Sequence, residues 1–489
     1  MKRRYLSILL IATLTIAVIT GCATKSDDKP QGETQAPVID DTRSDETLRE
    51  NYKDNIPDDL NFEGANVKIH GRGDGDAILE LSAEQTGDII EDAIYRRNSM
   101  VEERLNITIE AHTPYGWQNY HTALTQIRSS IQSGDDEFQI IAGYSSPAPV
   151  LSTEKLLLNL LTVPYIETEQ PWWAQSIVND LTIKGNLYFL CGDIAMTMLA
   201  SSYSIAINFG IAERYNIEGV YKTVLEGNWT IEKLYELSSL INEDTNGDGI
   251  TNEGDVVGLL VGSELPNDAD SFMQGSKITM TERDENDLPF LNVNTDRISA
   301  LAEKVYRLFY ENPGALADTK ITAYTSFPND TALFTPSYLY FYHDYYKNMN
   351  SDYGILPYPK FDEAQDSYST RVQDGVSIWA IPVTVQNLEC VGATMEAMAA
   401  QSYRTVTPTY FEIALKIKYS RDDDSVRMLD LIREGVMFNF EIIYNSQIGN
   451  PWDVMRSLMI DKSSDFASLW AKREQGIQKN LEKLISDFA

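Results

Sequence analysis

Residues 244–255 carry side-chain oxygens at the spacing that a calcium-binding loop needs. Oxygen donors stand at loop positions 1, 3, 5, 7, 9 and 12, and Gly249 stands at position 6, where such a loop turns sharply. The donors are the side chains of Asp244, Asn246, Asp248, Asn252 and Asp255 and the backbone carbonyl of Ile250. Because calcium is a hard ion that prefers about six to eight oxygen ligands, the sequence predicts a calcium site here.

The last position of this loop is Asp255, where the calmodulin pattern has glutamate. The loop therefore looks more like that of a dockerin, and the shorter aspartate side chain can coordinate through one oxygen, which weakens the site. Since the sequence contains one such loop, a structural role for calcium is favoured over a sensor. The alternative is an ordinary surface turn rich in Asn and Gly.

Aromatic residues close to expected turns form a second group. Trp172 and Trp173 follow a proline, Tyr338 and Tyr340 alternate along the chain, and Trp452 stands beside turn residues. Flat apolar faces stack on sugar rings, while carboxylates, amides and guanidinium groups bind the hydroxyls. Each of these aromatics could equally belong to the core, where large apolar side chains usually lie.

Signatures of catalysis are missing from the sequence. It has no Gly-x-Ser-x-Gly, no Gly-Lys dipeptide and no His-Glu-x-x-His. A glycosidase needs two carboxylates, so a secreted carbohydrate-active enzyme stays open as an alternative. The tripeptide Arg72-Gly73-Asp74 and the calcium-like loop leave a calcium-dependent adhesion or scaffold protein as a further alternative. The single loop argues against it, because dockerins carry two.

The charge of the chain limits its partners. Its 489 residues include 40 Lys and Arg against 73 Asp and Glu, which gives a formal net charge of −33. A surface this negative repels phosphate backbones and anionic lipid headgroups. We therefore do not expect the protein to bind nucleic acid or to bind membranes electrostatically. The expected ligand is neutral or cationic.

Three cysteines cannot build a disulfide framework, and 43% hydrophobic residues suffice for a large core in two or three lobes.

The N-terminus has the pattern of an exported lipoprotein. Basic residues 2–4 precede an uncharged apolar run, which ends in Ile19-Thr20-Gly21-Cys22. We expect residues 1–21 to be a signal peptide and Cys22 to carry the lipid. The alternatives are an uncleaved anchor and an ordinary signal with an incidental cysteine. Residues 22–60 are polar and charged with few apolar residues, which predicts a flexible tether.

Strands and helices alternate in the first part of the body. The patterns predict strands at 66–70, 107–110 and 138–142 and helices at 88–105 and 120–133. This alternation is typical of a parallel α/β sheet, in which ligands bind beyond the carboxyl ends of the strands. Loops 71–76 and 143–145 stand at such ends.

On these residues the chain resembles the extracellular solute-binding lipoproteins of bacterial ABC transporters, of the carbohydrate-binding type related to maltose-binding protein. The resemblance covers essentially the whole mature chain. The segments that carry it are the lipobox ending at Cys22, Asp92-Ala93-Ile94-Tyr95-Arg96-Arg97-Asn98, Pro171-Trp172-Trp173, Gly192-Asp193, Ala206-Ile207-Asn208, Trp229-Thr230-Ile231-Glu232-Lys233-Leu234 and Gly354-Ile355-Leu356-Pro357-Tyr358-Pro359-Lys360.

The resemblance implies a type II periplasmic-binding-protein-like fold, with two α/β lobes joined by about three crossings, near 204–209, 353–361 and 404–410. Lobe 1 would comprise 61–205 and 355–403, and lobe 2 would comprise 206–354 and 404–489. One departure from the family is Phe209, which stands where a basic residue often follows the asparagine that ends the first crossing.

The same resemblance implies the function and the site. The chain would be a monomer held at the outer face of the cell membrane by its lipid, and it would deliver a neutral oligosaccharide to an ABC permease without being an enzyme. The sugar would lie in the cleft between the lobes. The residues expected to face it are Arg72, Asp74, Tyr144, Trp172, Trp173, Asp193, Tyr338, Tyr340, Arg371, Asp374 and Trp452.

Overall fold

The computed structural model describes residues 49–75, 77–81, 84–416 and 423–488. The predicted signal peptide, the lipidation residue Cys22 and the first part of the predicted tether lie outside these residues. Within the described ranges, every helix is too short or too polar to cross a membrane.

The described chain contains twelve strands and nineteen α-helices. The strands are β1 Ala65–Arg72, β2 Ile107–Tyr115, β3 Ile140–Tyr144, β4 Tyr203–Asn208, β5 Asn242–Glu243, β6 Val256–Val261, β7 Thr281–Arg283, β8 Pro289–Leu291, β9 Ala315–Ala317, β10 Ala332–Tyr338, β11 Tyr353–Leu356 and β12 Ser377–Ala380. The helices are α1 Ala77–Leu81, α2 Ile89–Leu105, α3 Tyr120–Ser133, α4 Val150–Thr153, α5 Gln175–Leu181, α6 Met196–Ala200, α7 Phe209–Arg214, α8 Val220–Leu225, α9 Ile231–Ser238, α10 Leu265–Gly275, α11 Thr295–Tyr306, α12 Ala323–Ser326, α13 Leu339–Phe341, α14 Leu388–Gln401, α15 Thr407–Lys416, α16 Asp423–Glu434, α17 Phe440–Ile443, α18 Val454–Ile460 and α19 Phe466–Asp487.

The first lobe is built on a four-stranded sheet in the order β12-β3-β1-β2. Strands β1, β2 and β3 are parallel, and β12 runs antiparallel to β3. Helix α2 begins where Asp88 accepts hydrogen bonds from two backbone amides and ends at Asn106, which has a left-handed conformation. The predicted alternation of strands and helices is therefore present, with β3 beginning two residues later than expected.

The second lobe is built on a sheet in the order β11-β4-β10-β6-β5, with β9 also paired to β6. This sheet is mixed: β10 is parallel to β6 and antiparallel to β4. Each lobe has its own hydrophobic core, one around the first sheet and one around the second. The predicted α/β fold with two lobes is confirmed.

The crossings between the lobes lie elsewhere than the sequence predicts. Residues 204–208 and 353–356 are strands β4 and β11 of the second sheet, because their apolar side chains are buried there. The chain crosses at 201–203 and returns at 371–376, and these two segments are paired: Tyr203 N donates to Arg371 O, and Gln373 N donates to Ser201 O, both at 3.0 Å. The predicted crossing at 404–410 is helical and leads into α15, which packs against α2 of the first lobe.

The lobe boundaries move accordingly. Residues 357–370 stay with the second lobe, where Lys360 N donates to Trp229 O and the Tyr368 hydroxyl donates to Val224 O. The C-terminal part contributes to both cores. Helix α19 packs on the second core through Phe466, Trp470 and Ile477 and on the first core through its last turns.

The predicted tether is too long at its C-terminal end. Asp54 forms a two-point ion pair with Arg104 at 2.7 and 2.9 Å, and Ile56 is buried in the first core. Arg49 donates to the backbone oxygen of Tyr403 and lies over its ring. Residues 49–60 therefore belong to the folded body, because Arg49, Asp54 and Ile56 are held by residues of the first lobe.

Candidate ligand-binding cleft

A cleft of about 710 Å³ opens between the two lobes. Both lobes and the crossing at 371–376 contribute side chains to it. The lining residues are Arg72, Asp74, Gly75, Trp117, Tyr144, Ser146, Thr197, Ser201, Asn267, Tyr340, Asp344, Tyr345, Gln373, Asp374, Gly375, Asn445, Asn450, Asp453 and Arg456. A cavity of this volume is in the usual range for small-molecule sites.

The first lobe supplies what we call the aromatic wall: Arg72, Asp74, Trp117 and Tyr144. These residues follow or end the parallel strands, and pairing of Arg72 with Tyr115 brings the carboxyl ends of β1 and β2 together. Trp117 lies edge-on to the Tyr144 ring at 5.3 Å, and its own indole is 51% exposed. Asp74 accepts hydrogen bonds from the Tyr144 hydroxyl and from Trp117 N. The parallel sheet thus places one exposed indole beside a carboxylate.

Arg72 is the buried cation of the aromatic wall. Its side chain is 4% exposed, and its guanidinium lies 4.1 Å from the centre of the Tyr144 ring. Within the described residues, its Nε is buried and has no hydrogen-bond partner. Arg72 also lines the cleft, and a guanidinium carries five N–H donors of the kind that bind hydroxyl oxygens.

The second lobe supplies the polar wall: Asn267, Asn445, Asn450, Asp453 and Arg456. Their charges are already paired. The Arg456 guanidinium forms an ion pair with the buried carboxylate of Asp270 in helix α10, which packs closely against α18. Asp453 accepts a 2.8 Å hydrogen bond from the Asn445 amide. This wall therefore presents amide and guanidinium groups that are fixed by one another.

Two tyrosines of the second lobe complete the cleft. Tyr340 stacks on Tyr338 with ring centres 5.4 Å apart, and Tyr345, 39% exposed, packs on Tyr324. Together with Trp117 they give the cleft aromatic surfaces from both lobes, as stacking on a sugar ring requires.

The predicted site residues divide into three groups. Arg72, Asp74, Tyr144, Tyr340 and Asp374 line the cleft. Two others lie directly behind it: Arg371 is 2% exposed and bound to Asp374, and Tyr338 is 3% exposed under Tyr340. The remaining four lie away from the cleft lining.

The prediction is wrong for Trp172, Trp173 and Trp452. The two adjacent indoles are buried in the first core, and both donate to Glu396, at 3.1 and 3.0 Å. Burial raises the pKa of that carboxyl to about 8. Trp452 is buried in the second core. Large aromatic surface is removed from water most completely in a core, which is why these indoles are there.

Asp193 is also misplaced by the prediction. It accepts a hydrogen bond from the Thr407 hydroxyl and lies 3.9 Å from Arg49, where the N-terminal segment meets α15. Burial raises the pKa of this carboxyl above its ordinary value. Its role is to fix that junction.

Sequence reasoning missed the exposed Trp117 and the whole polar wall. Trp117 was detectable, because it follows β2, the neighbour of β1 whose carboxyl end the prediction left out. The asparagines of the polar wall lie on a helix and loops far apart in sequence. Only the packing of α10 against α18 brings them together, and no local pattern shows that.

The calcium-like loop 244–255 joins β5 to β6 in an antiparallel hairpin. Asp244 accepts hydrogen bonds from the backbone amides of Gly247 and Gly249, and both glycines have φ near +76°. The Asp255 carboxylate is turned to the amides of Thr245 and Asn252. In the described ranges no three His, Cys, Asp or Glu side chains are grouped so that they could hold a metal ion. The carboxylates of the loop thus bind backbone amides and do not form a ready cage.

Comparison with known proteins gives structural matches only: no family model and no curated protein matches the chain. The galacto-N-biose/lacto-N-biose I-binding protein of an ABC transporter from Bifidobacterium longum, solved with lacto-N-biose, aligns with a TM-score of 0.57 at 12% identity, over 86% of this chain and 98% of that chain. The GacH receptor of Streptomyces glaucescens, solved unliganded and with acarbose, aligns with a TM-score of 0.54 at 11% identity, over 87% and 99%.

A third match is an ABC substrate-binding protein from Listeria monocytogenes in complex with cycloalternan, with a TM-score of 0.52 at 10% identity, over 87% of this chain and 99% of that chain. The fold is that of ABC-transporter sugar-binding proteins. The matches span nearly the whole of each known chain, so the resemblance expected from the sequence is confirmed at the level of the fold.

Proposed function

We propose that this protein captures a carbohydrate in the cleft between its lobes and delivers it to an ABC permease. The observation that carries the proposal is the pairing of an aromatic wall with a polar wall across one cleft. Exposed aromatic faces bind the apolar faces of sugar rings, and amides, carboxylates and guanidinium groups bind the hydroxyls. Structures of proteins with the same fold contain bound oligosaccharides, which supports this class of ligand.

The finer parts of the proposal come from the sequence. The lipobox ending at Cys22 supports anchoring by lipid at the outer face of the cell membrane, with the chain acting as a monomer. A net charge of −33 supports an uncharged oligosaccharide as cargo. The permease would meet the loaded, closed protein, since closure of two lobes around a ligand is the usual motion of such binders.

A panel of sugars tests the ligand class. Thermal shift followed by calorimetry would use maltotriose, maltotetraose, lacto-N-biose and mannotriose, with amino acids and short peptides as other solute classes. We expect a rise in melting temperature with at least one oligosaccharide, because ligand that binds the folded state alone stabilises it. A response to peptides or amino acids and to none of the sugars would overturn the assignment.

The same panel separates binding from catalysis. We propose that the protein is not an enzyme, in keeping with the binding proteins that share its fold. Each sugar would be incubated with the protein and the products separated by chromatography. Intact sugar after prolonged incubation is expected; release of smaller sugars that is lost in Asp74→Asn or Asp453→Asn would establish a glycosidase instead.

We further propose that loop 244–255 takes up calcium as a structural ion, by repacking of the carboxylates that now bind backbone amides. Calcium would be held by the oxygens of Asp244, Asn246, Asp248, Asn252, Asp255 and the Ile250 carbonyl. A chelator should lower the melting temperature, and Asp248→Ala should do the same in calcium-containing buffer. A melting curve that is identical with and without chelator would refute the site.

A further inference from the structure

Arg371 lies buried where the two crossing segments pair, just beneath the floor of the cleft. Its side chain is 2% exposed. Its backbone oxygen accepts from Tyr203 N, so the residue is part of the connection that links the lobes. A charged group this deep in a protein requires partners, because desolvation of an unpaired charge is costly.

The guanidinium finds its partners on three sides. Nη2 donates to the Asp374 carboxylate at 3.1 Å, and Nη1 donates at 3.2 Å both to the Tyr203 hydroxyl and to the backbone oxygen of Asn267. Asp374 and Asn267 line the cleft, whereas Tyr203 begins the first strand of the second lobe. One side chain thus binds the crossing, the cleft floor and helix α10 of the second lobe.

The contacts continue into the second lobe through hydroxyl groups. The Tyr203 and Tyr338 hydroxyls are 2.8 Å apart, the Tyr338 hydroxyl donates to Glu264 at 3.1 Å, and the Asn267 amide donates to the same carboxylate at 3.2 Å. The network therefore closes on itself at Asn267. Tyr338 also supports Tyr340, whose ring lines the cleft.

We propose that Arg371 is a positioning residue, which ties Asp374 and Asn267 to the paired crossing segments and so couples ligand contact in the cleft to the closed arrangement of the lobes. The inference rests on the proposed function and deepens it. Arg371 itself lies behind the cleft lining. Its planar fork suits this role, since one compact ammonium group cannot bind Asp374, the Tyr203 hydroxyl and the Asn267 carbonyl in fixed directions.

Calorimetry on variants tests the coupling, with whichever of maltotriose, maltotetraose, lacto-N-biose and mannotriose binds wild type most tightly. We expect Arg371→Met and Asp374→Asn each to lower the affinity about 10- to 100-fold, the effect of losing one charge-assisted contact. The double variant should lose little more than either single one, because both changes break the same unit. Arg371→Lys should recover part of the affinity but not all of it.

Small-angle scattering supplies a readout that a purely structural role would not change. The radius of gyration of wild type should decrease when the sugar is added. That of Arg371→Met should decrease less at saturating sugar. The matched control is Arg104→Met, which breaks the ion pair with Asp54 far from the cleft lining. It should lower the melting temperature and leave both affinity and contraction as in wild type.

Two results would overturn the inference alone: wild-type affinity in both Arg371 variants, or strictly additive losses in the double variant. If Arg371→Met does not fold, Tyr203→Phe tests the proposal instead. It removes one partner of the guanidinium, so the affinity for the sugar should fall several-fold. An unchanged affinity would count against the proposal. Failure of wild type to bind any of the four sugars would instead overturn the proposed function and this inference with it.

Discussion

The two walls of the cleft use the same residue types in opposite ways. On the aromatic wall, Arg72 lies against a ring with its Nε unpartnered, and Asp74 is held by a hydroxyl and a backbone amide. On the polar wall, Arg456 is paired with Asp270, and Asp453 is bound by Asn445. The aromatic wall keeps hydrogen-bonding capacity for a ligand, whereas the polar wall uses its own to hold its shape.

The largest expected effect is a loss of unfolding free energy when the arginine of the polar wall is replaced. Arg456→Met leaves the Asp270 carboxylate, which is buried between α10 and α18, without its charged partner. Removing one partner of a buried ion pair costs about 3–5 kcal/mol of the unfolding free energy. Urea denaturation at neutral pH measures it. A loss below about 1 kcal/mol would show that this pair does not hold the wall.

The same substitution on the aromatic wall should affect binding instead. Arg72→Met removes donors that make no ion pair in the described structure, so stability should change little. We expect the affinity for the best sugar of the panel to fall by about 1.5–3 kcal/mol, the range for hydrogen bonds to a charged group. Calorimetry and urea denaturation on one preparation measure both quantities. A large loss of stability with full affinity would reverse the comparison.

A smaller effect is expected at the exposed indole. Trp117→Ala should weaken sugar binding by about 1 kcal/mol or slightly more, because one stacking face is lost. Its melting temperature should stay close to that of wild type, since about half of the side chain is already in water. Trp117→Phe, which keeps a ring, is the matched control and should retain most of the affinity. Equal affinities in all three proteins would remove Trp117 from the site.

The smallest effect should be the pH dependence of stability that Asp270, the partner of Arg456, contributes. Burial raises the pKa of Asp270 to about 6, against the opposing effect of Arg456. A carboxyl with a raised folded-state pKa contributes most to stability below its unfolded pKa of about 4, and the contribution is lost as pH rises through 6. Melting temperature should therefore fall by a few degrees between pH 4.5 and 7. Asp270→Asn should flatten this slope; an unaltered slope would assign it to other groups.

The sequence predicted the first sheet well and the cleft in part. Strand and helix periods, with Asp88 as a cap, are local signals, so β1, α2 and α3 are found near their predicted bounds. Strand β2 begins where predicted but extends to Tyr115, past its predicted end at residue 110. Arg72, Asp74 and Tyr144, at or just after the ends of β1 and β3, line the cleft. Tyr144 and Tyr340 line the cleft, but the three predicted tryptophans do not. Composition does not distinguish an indole bonded to Glu396 in a core from one exposed beside Asp74.

The polar wall and the crossings depend on contacts between distant segments. The family resemblance implied crossings near 204–209 and 353–361, yet strands β4 and β11 in these segments pair within the second sheet. The paired crossing segments 201–203 and 371–376 are short and have no periodic pattern; they are stabilised by two backbone hydrogen bonds and by Arg371. The position of Arg371 next to the cleft was predicted, but its role beneath the floor required the three-dimensional contacts.

Helix α19 limits how the lobes can separate. Its 22 residues give a rod of about 33 Å. The front half packs in one core, and Leu481 and Leu484 near its end pack in the other. Rotation of one lobe away from the other would therefore bend this helix or break the contacts of its last turns with the first core. Gly476 lies on its exposed side, close to where the rod leaves one core for the other, and glycine is the residue that least resists bending. The molecule thus has, besides the paired crossing segments, a helix whose contacts join its two cores.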